Sequence, residues 1–205
     1  MTNTKFFSIT IFAFILTSIN LFSQNTVFPF NDSKDKIEYT EIVESSLSPN
    51  DLSLKTEMVL QRLLSGSKDK FIATSNKNYG FSGTKHGKIS VSTGLLSSCG
   101  AKEYNYRYNI SILFKEGKWR YSISEIKLYF ETDASYSGTT SYFYGVGISG
   151  GRIQSGEEIS MNLESVINNI KKCESVWNKL FEILNYKINL DINFLKDEIK
   201  KNDGW

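Results

Sequence analysis

The chain carries one histidine and two cysteines, so catalysis by these groups would have to be assembled from His86, Cys99 and Cys173. A single imidazole excludes a multi-histidine metal site, and zinc would have to recruit distant cysteines and carboxylates. Cys99 with His86 is the thiol and imidazole pair on offer for nucleophilic attack, which needs a base within hydrogen-bond reach and a third group to orient it. The spacing does not demand that arrangement. Glu157 and Glu158 are adjacent acids just ahead of a predicted helix, where interaction with its dipole explains them more simply than acid and base roles. Gly145-Val-Gly147-Ile-Ser-Gly150 satisfies G-x-G-x-x-G, but it lacks the preceding buried strand, the following helix and the acid about 20 residues on that dinucleotide binding requires. The run from Gly83 to Lys88 is one residue short for a phosphate loop and leads into Ile89, which has no hydroxyl for magnesium. It reads as a turn. No cofactor is expected, and no seat for enzymatic chemistry stands out.

A binding surface is better motivated. From Tyr104 to Phe114 the even positions are Tyr, Tyr, Tyr, Ile, Ile and Phe, while Asn105, Arg107, Asn109 and Ser111 alternate with them. That is a half-buried strand. Folding back through Glu116-Gly117 pairs Phe114 with Trp119, Ile112 with Tyr121 and Ile110 with Ile123. Beyond Ser124 the alternation slips by one, and a bulge near Glu125 restores Tyr108 with Ile126, Tyr106 with Leu128 and Tyr104 with Phe130. The opposite face then sets Ser111 beside Ser122, Asn109 beside Ser124, Arg107 beside Lys127 and Asn105 beside Tyr129, with Arg120 opposite Leu113. Hydroxyls, amides and the cations Arg107, Arg120 and Lys127 suit a carboxylate, phosphate or sugar group, although an ordinary solvated sheet face has the same composition. Tyr136, Tyr142, Phe143 and Tyr144 lie in a Gly/Ser-rich stretch and form a second candidate contact set.

These residues need a scaffold. Residues 1–23 carry one charge, Lys5, ahead of an apolar run from Phe6 to Phe22, the pattern of a cleaved secretory signal peptide. Removing it takes Lys5 from the 24 basic residues and leaves 22 acidic ones, a net charge of +1. Nothing in that balance steers toward nucleic acid, and no membrane span is expected after cleavage. Residues 37–43 read as a strand. Ser48 is a predicted N-cap with Pro49 at the first helical position, Leu52, Val59, Leu60, Leu63 and Leu64 as the buried stripe and Gly66 as the stop. Two further strands, 71–74 and 88–93, flank a turn-rich stretch. Residues 132–160 read as a long Gly/Ser/Tyr loop. Leu163 to Leu184 forms an amphipathic helix of about 24 residues by its three- and four-residue steps, followed by a shorter one through Ile192, Leu195 and Ile199. Cys173 falls on that stripe and Cys99 in a loop, so buried free thiols are the default expectation, with a Cys99 to Cys173 disulfide as the alternative.

Residues Lys36–Val43 (KIEYTEIV) and Phe114–Ile126 (FKEGKWRYSISEI) resemble two stretches of an exported Bacteroidota family of unknown function, described as having a TATA-box-binding-protein-like fold. The likeness covers roughly residues 27–131. It implies an α+β domain, an antiparallel sheet with helices packed on one face, and it supplies no functional residue. Residues 24–131 are then the core of that domain, 132–160 the loop, and 161–205 C-terminal helices on the sheet. The expected function is non-catalytic binding in the periplasm or outside the cell, to an envelope protein or a small anionic or sugar ligand. A Cys/His hydrolase and a structural assembly subunit are the alternatives.

Overall fold

The computed structural model describes residues 28–66, 68–74, 80–91, 102–131, 138–139, 142–143, 146–147, 152–153, 158–170 and 173–201. In chain order the elements are β1 (Tyr39–Glu44), α1 (Pro49–Leu63), β2 (Lys70–Thr74), β3 (Gly80–Val91), β4 (Lys102–Lys115) and β5 (Lys118–Glu131). The two-residue strands β6 (Gly138–Thr139), β7 (Tyr142–Phe143), β8 (Val146–Gly147) and β9 (Arg152–Ile153) follow, then β10 (Glu158–Asn162), α2 (Leu163–Asn169) and α3 (Glu174–Lys200).

The tyrosine hairpin is the frame. Between β4 and β5, Gly117 takes φ 75°, a left-handed value that glycine adopts without steric penalty. Phe114 faces Trp119, Ile112 faces Tyr121, Arg107 faces Lys127 and Asn105 faces Tyr129, the register the alternation requires. The ladder shifts between Arg107 and Asn109, and Glu125, at φ 52°, is the extra residue. That bulge keeps Ile126 and Leu128 buried beside Tyr106 and Tyr108 while Glu125 stays in water. The full sheet runs β1-β5-β4-β3-β2, all antiparallel, with β10 sharing the outer edge of β5 with β1.

The helices cover the aromatic face. In α1, Ser48 accepts a hydrogen bond from the Asp51 N–H and Pro49 opens the first turn. Leu52, Val59, Leu60 and Leu63 are buried, and so is the α3 stripe from Val176 and Trp177 to Leu195 and Ile199. Each such side chain contributes about 1.5–3 kcal/mol relative to exposure. The buried tyrosines reach polar partners with their tips, because a desolvated phenol without a partner is costly. Tyr39 donates to Asn185 Oδ1 at 2.6 Å, Tyr108 donates to Asp191, and Tyr121 donates to Glu41 Oε2 at 2.9 Å. Glu41 also takes Lys196 Nζ at 2.6 Å, a hydrogen bond that holds its carboxyl below the ordinary range.

Several sequence expectations are corrected. Gly83 to Lys88 is no turn but the middle of β3, which starts at Gly80 instead of residue 88. Its glycines serve close packing: a Cβ on Gly83 would lie 2.2 Å from Leu64 Cδ1 and 2.6 Å from the Lys70 carbonyl oxygen, and one on Gly87 would lie 2.2 Å from Tyr106 Cζ. Gly83→Ala is therefore expected to destabilise the protein by about 1–3 kcal/mol, read as a lower urea midpoint at unchanged slope, since a backbone oxygen cannot yield as a side chain can. The cap of α1 is Leu64 at φ −101°, and Gly66 does not supply the left-handed stop. The single long helix is interrupted at Cys173, whose φ of 61° breaks the helix; the shorter C-terminal helix is instead the continuation of α3 to Lys200. Residues 132–160 contain the short pairs β6 with β9 and β7 with β8, as well as most of β10, in which Glu158 faces Glu131. Two-residue ladders leave no periodicity to read. Glu158 thus lies on a strand and not at a helix start.

Candidate functional site

Past Thr84, β3 outruns β2, whose first residue Lys70 is Thr84's partner. The segment that leads into β2 closes on itself there. Asp69 N–H donates to the Gly66 carbonyl at 3.0 Å, and the Gly66 N–H donates back to Asp69 Oδ2 at 3.0 Å. Asp69 Oδ1 accepts the backbone N–H of His86 at 2.7 Å. The Asp69 side chain is only 4% exposed, and His86 Nδ1 lies 3.6 Å from the same Oδ1. That separation is too long for a hydrogen bond, and Nδ1 is buried without a partner. His86 is thus seated against an acid with its side chain 25% exposed.

The sheet supplies the other wall. Even-numbered β3 residues and odd-numbered β4 residues share the face away from the helices, so His86 faces Arg107 and Lys88 faces Asn105. The Arg107 guanidinium lies over the Tyr129 ring, 5.3 Å from its centroid. The bulge at Glu125 makes this contact, since a register shifted by one would turn Tyr129 toward the core. Together with Gly66, Lys68, Gly87 and Tyr106 these residues line a cleft of about 430 Å³. Lys88 also pairs with Glu103. Among the charged residues lining the cleft, Lys68, Lys88 and Arg107 face one acid, Asp69, whose oxygens are already engaged. Such a cleft attracts an anion, which a guanidinium can hold through two parallel hydrogen bonds. Burial pushes the Tyr106 hydroxyl up to about 12, with Asp191 and Asp69 adding to it, so it stays protonated and is no phenolate base.

The expected site residues divide. Arg107 and Tyr129 line the cleft, and Lys127 stands beside Arg107. Arg120 faces Leu113, six residues along β4 from Arg107 and so about 20 Å away at the rise of a strand. Ser122 donates to Glu38 at 2.6 Å. Asn109 donates to Glu125 at 2.8 Å and accepts from Thr84 at 3.0 Å, and Ser124 faces it across the ladder. Ser122 and Asn109 are thus tied into the sheet's own surface, and Arg120 and Ser124 stand in the same ladder. Ile42 and Ile72, 59% and 53% exposed, interrupt the polar face toward its two edges. Tyr142 is paired with Gly147 in β7 and β8, whereas Tyr136 and Tyr144 lie outside the described residues. Sequence reasoning missed Asp69, Lys68 and Lys88. The sign it had was an acid three residues after a glycine at the end of a helix, which reads equally as an ordinary turn.

Cys173 is disulfide-bonded, so the free-thiol expectation fails for it, and no free cysteine is present among the described residues. Cys99, the other cysteine in the sequence, lies outside them. Among the described residues no group of three or more His, Cys, Asp or Glu side chains could hold a metal ion, and no helix is long and apolar enough to cross a membrane.

No protein-family model matches the chain, and no curated protein does. Among solved structures, a TBP-like protein from Parabacteroides distasonis is similar at 12% identity and a TM-score of 0.48, over 84% of this chain and 97% of its own. A DUF4468 family protein from Bacteroides ovatus is similar at 11% identity and a TM-score of 0.54, over 88% of this chain and 95% of its own. The α+β fold implied by the sequence resemblance is the fold of the chain, an antiparallel sheet with helices on one face, and the Bacteroides ovatus protein shares it.

Proposed function

We propose that the protein is a non-catalytic binding module of the cell envelope that holds an anionic group in the cleft between β3, β4 and the turn at Asp69. The observation that carries this reading is Arg107 laid on Tyr129 in a cleft of about 430 Å³, within the size range of small-ligand sites. The guanidinium is braced by the ring, and Lys68 lines the same cleft. Export is supported by the apolar segment behind Lys5 and by the disulfide at Cys173, since disulfides persist in oxidising compartments. A second reading, an assembly subunit, is favoured by Leu54 and Met58 on α1 and by Tyr186 and Leu190 on α3, exposed large apolar residues at four-residue spacing on the helical layer.

The test is a binding titration with inorganic phosphate and glutarate as probes. Arg107→Ala is expected to weaken capture about tenfold to a hundredfold, the range for a hydrogen bond to a charged group. Arg120→Ala, at the far end of the sheet, is expected to leave it unchanged. Equal loss in both variants would place the anion elsewhere on the face.

A further inference from the structure

We infer that the natural occupant of the cleft is an extended, acidic polypeptide segment that adds to the sheet as a strand along the edge of β3 beyond Thr84, which no strand among the described residues meets. This rests on the anion-binding reading above and names the ligand class.

β3 pairs with β4 along its whole length, from Gly80 to Val91, but with β2 only from Gly80 to Thr84. In an antiparallel ladder the N–H and C=O of alternate residues point to the same neighbour. Thr84 points toward β2, so His86, Lys88 and Ser90 point the same way, away from β4. Among the described residues no strand meets them there. The first of these positions is nevertheless occupied in kind: the His86 N–H, two residues past the last β2 pair, is taken at 2.7 Å by the Asp69 carboxylate. A side-chain oxygen stands where the next carbonyl of a neighbouring strand would be. The donors of Lys88 and Ser90 follow at steps of about 6.6 Å, the spacing of every second residue in a strand.

The cleft lies on this edge, lined by His86, Gly87 and Lys88 from β3 and by Lys68 and Asp69 from the opposite side. Its charge selects the strand that can enter. Every second side chain of an added strand falls on the polar face, level with the rows His86 to Arg107 and Lys88 to Asn105. The Asp69 carboxylate already fills the His86 row and Glu103, which pairs with Lys88, holds the Ser90 row, so an acid suits the row between them, at Lys88, where Lys68 and Arg107 line the same cleft. Main-chain pairing supplies affinity and the alternate side chains supply specificity, the general mode of strand addition.

Ser90→Pro separates this proposal from the reading beneath it. The Ser90 N–H faces away from β4, so proline removes an edge donor and no charge, a position that tolerates proline in sheets. Octapeptides with one central Glu among Val and Thr serve as probes, with glutarate and inorganic phosphate beside them. The peptides are expected to bind the wild-type protein at least tenfold more tightly than glutarate and to slow amide exchange at Lys88 and Ser90. Ser90→Pro is expected to weaken the peptides about tenfold and to leave phosphate capture unchanged. Methylating the peptide's alternate backbone nitrogens gives the same answer without altering the protein, should the proline variant fold poorly. If glutarate binds as tightly as the peptides and N-methylation has no effect, strand addition is overturned and the anion site stands. If neither peptides nor anions bind in an Arg107-dependent way, both fall.

Discussion

Between about pH 10 and pH 12 the protein is expected to unfold cooperatively, with its buried tyrosines ionising inside that transition. Burial raises the hydroxyl of Tyr106 to about 12 and that of Tyr108 well above its ordinary value of 10.0, the nearby Asp191 adding to both. Burial also raises Tyr39, and it raises Tyr121 together with the hydrogen bond to Glu41. These groups bind their protons more tightly folded than unfolded. The stability they contribute is fully present below pH 10 and is lost as the pH climbs through the folded values. Each such tyrosine removes about 1.4 kcal/mol per pH unit, so two of them over two units remove about 5 kcal/mol, the lower end of a domain's whole stability. Phenolate absorbance and far-ultraviolet circular dichroism, followed together against pH, check this. Coincident midpoints are expected; a smooth rise of phenolate signal with an intact dichroism spectrum would show the phenols to be accessible in the folded state.

That outcome bears on why the sequence was readable where it was. The hairpin register, including its bulge, followed from alternation alone, because a one-residue slip would have put Glu125 in the core and Ile126, Leu128 and Phe130 in water. The polar face was legible for the same reason. β3 was not, since its alternation is interrupted by Gly83 and Gly87, which look like turn residues in a list of letters. What demands glycine there is the Leu64 side chain, the Lys70 carbonyl and the Tyr106 ring, all distant in sequence. The cleft was hidden behind that misreading. With the first part of β3 taken for a turn, His86 had no row to share with Arg107, and Asp69 had no edge to complete. The break before α3 was equally silent, because the apolar stripe carries on across Cys173 while the backbone does not.

Asp191→Ala is expected to destabilise the protein by about 3–5 kcal/mol, a larger loss than most single substitutions cause. Asp191 sits where α3 crosses the aromatic face. One oxygen lies 3.2 Å from Lys85 Nζ and the other accepts the hydroxyl of the fully buried Tyr108. Lys85 also donates to the Leu63 carbonyl at 3.0 Å, the last residue of α1. One carboxylate therefore joins β3, β4, α1 and α3, and removing it leaves a largely buried ammonium without its counter-charge and a buried phenol without its acceptor. The cost is that of the orphaned partners rather than of the pair itself. Replacing all three, as Lys85→Met, Asp191→Leu and Tyr108→Phe, is accordingly expected to recover most of the lost stability, measured by urea unfolding of the single and triple variants. If the single variant falls by less than about 1 kcal/mol, water must reach Lys85 and Tyr108 and the network does not lock the helices. The result also reaches the cleft, because the Tyr108 ring, held by Asp191, stacks on Tyr106 at 6.2 Å between centroids, and the Tyr106 ring rests on Gly87 at the edge that strand addition would use. A layer that shifts on losing Asp191 would carry Tyr106 with it, so the triple variant, with the ring held in place, is expected to keep anion capture that the single variant loses in part.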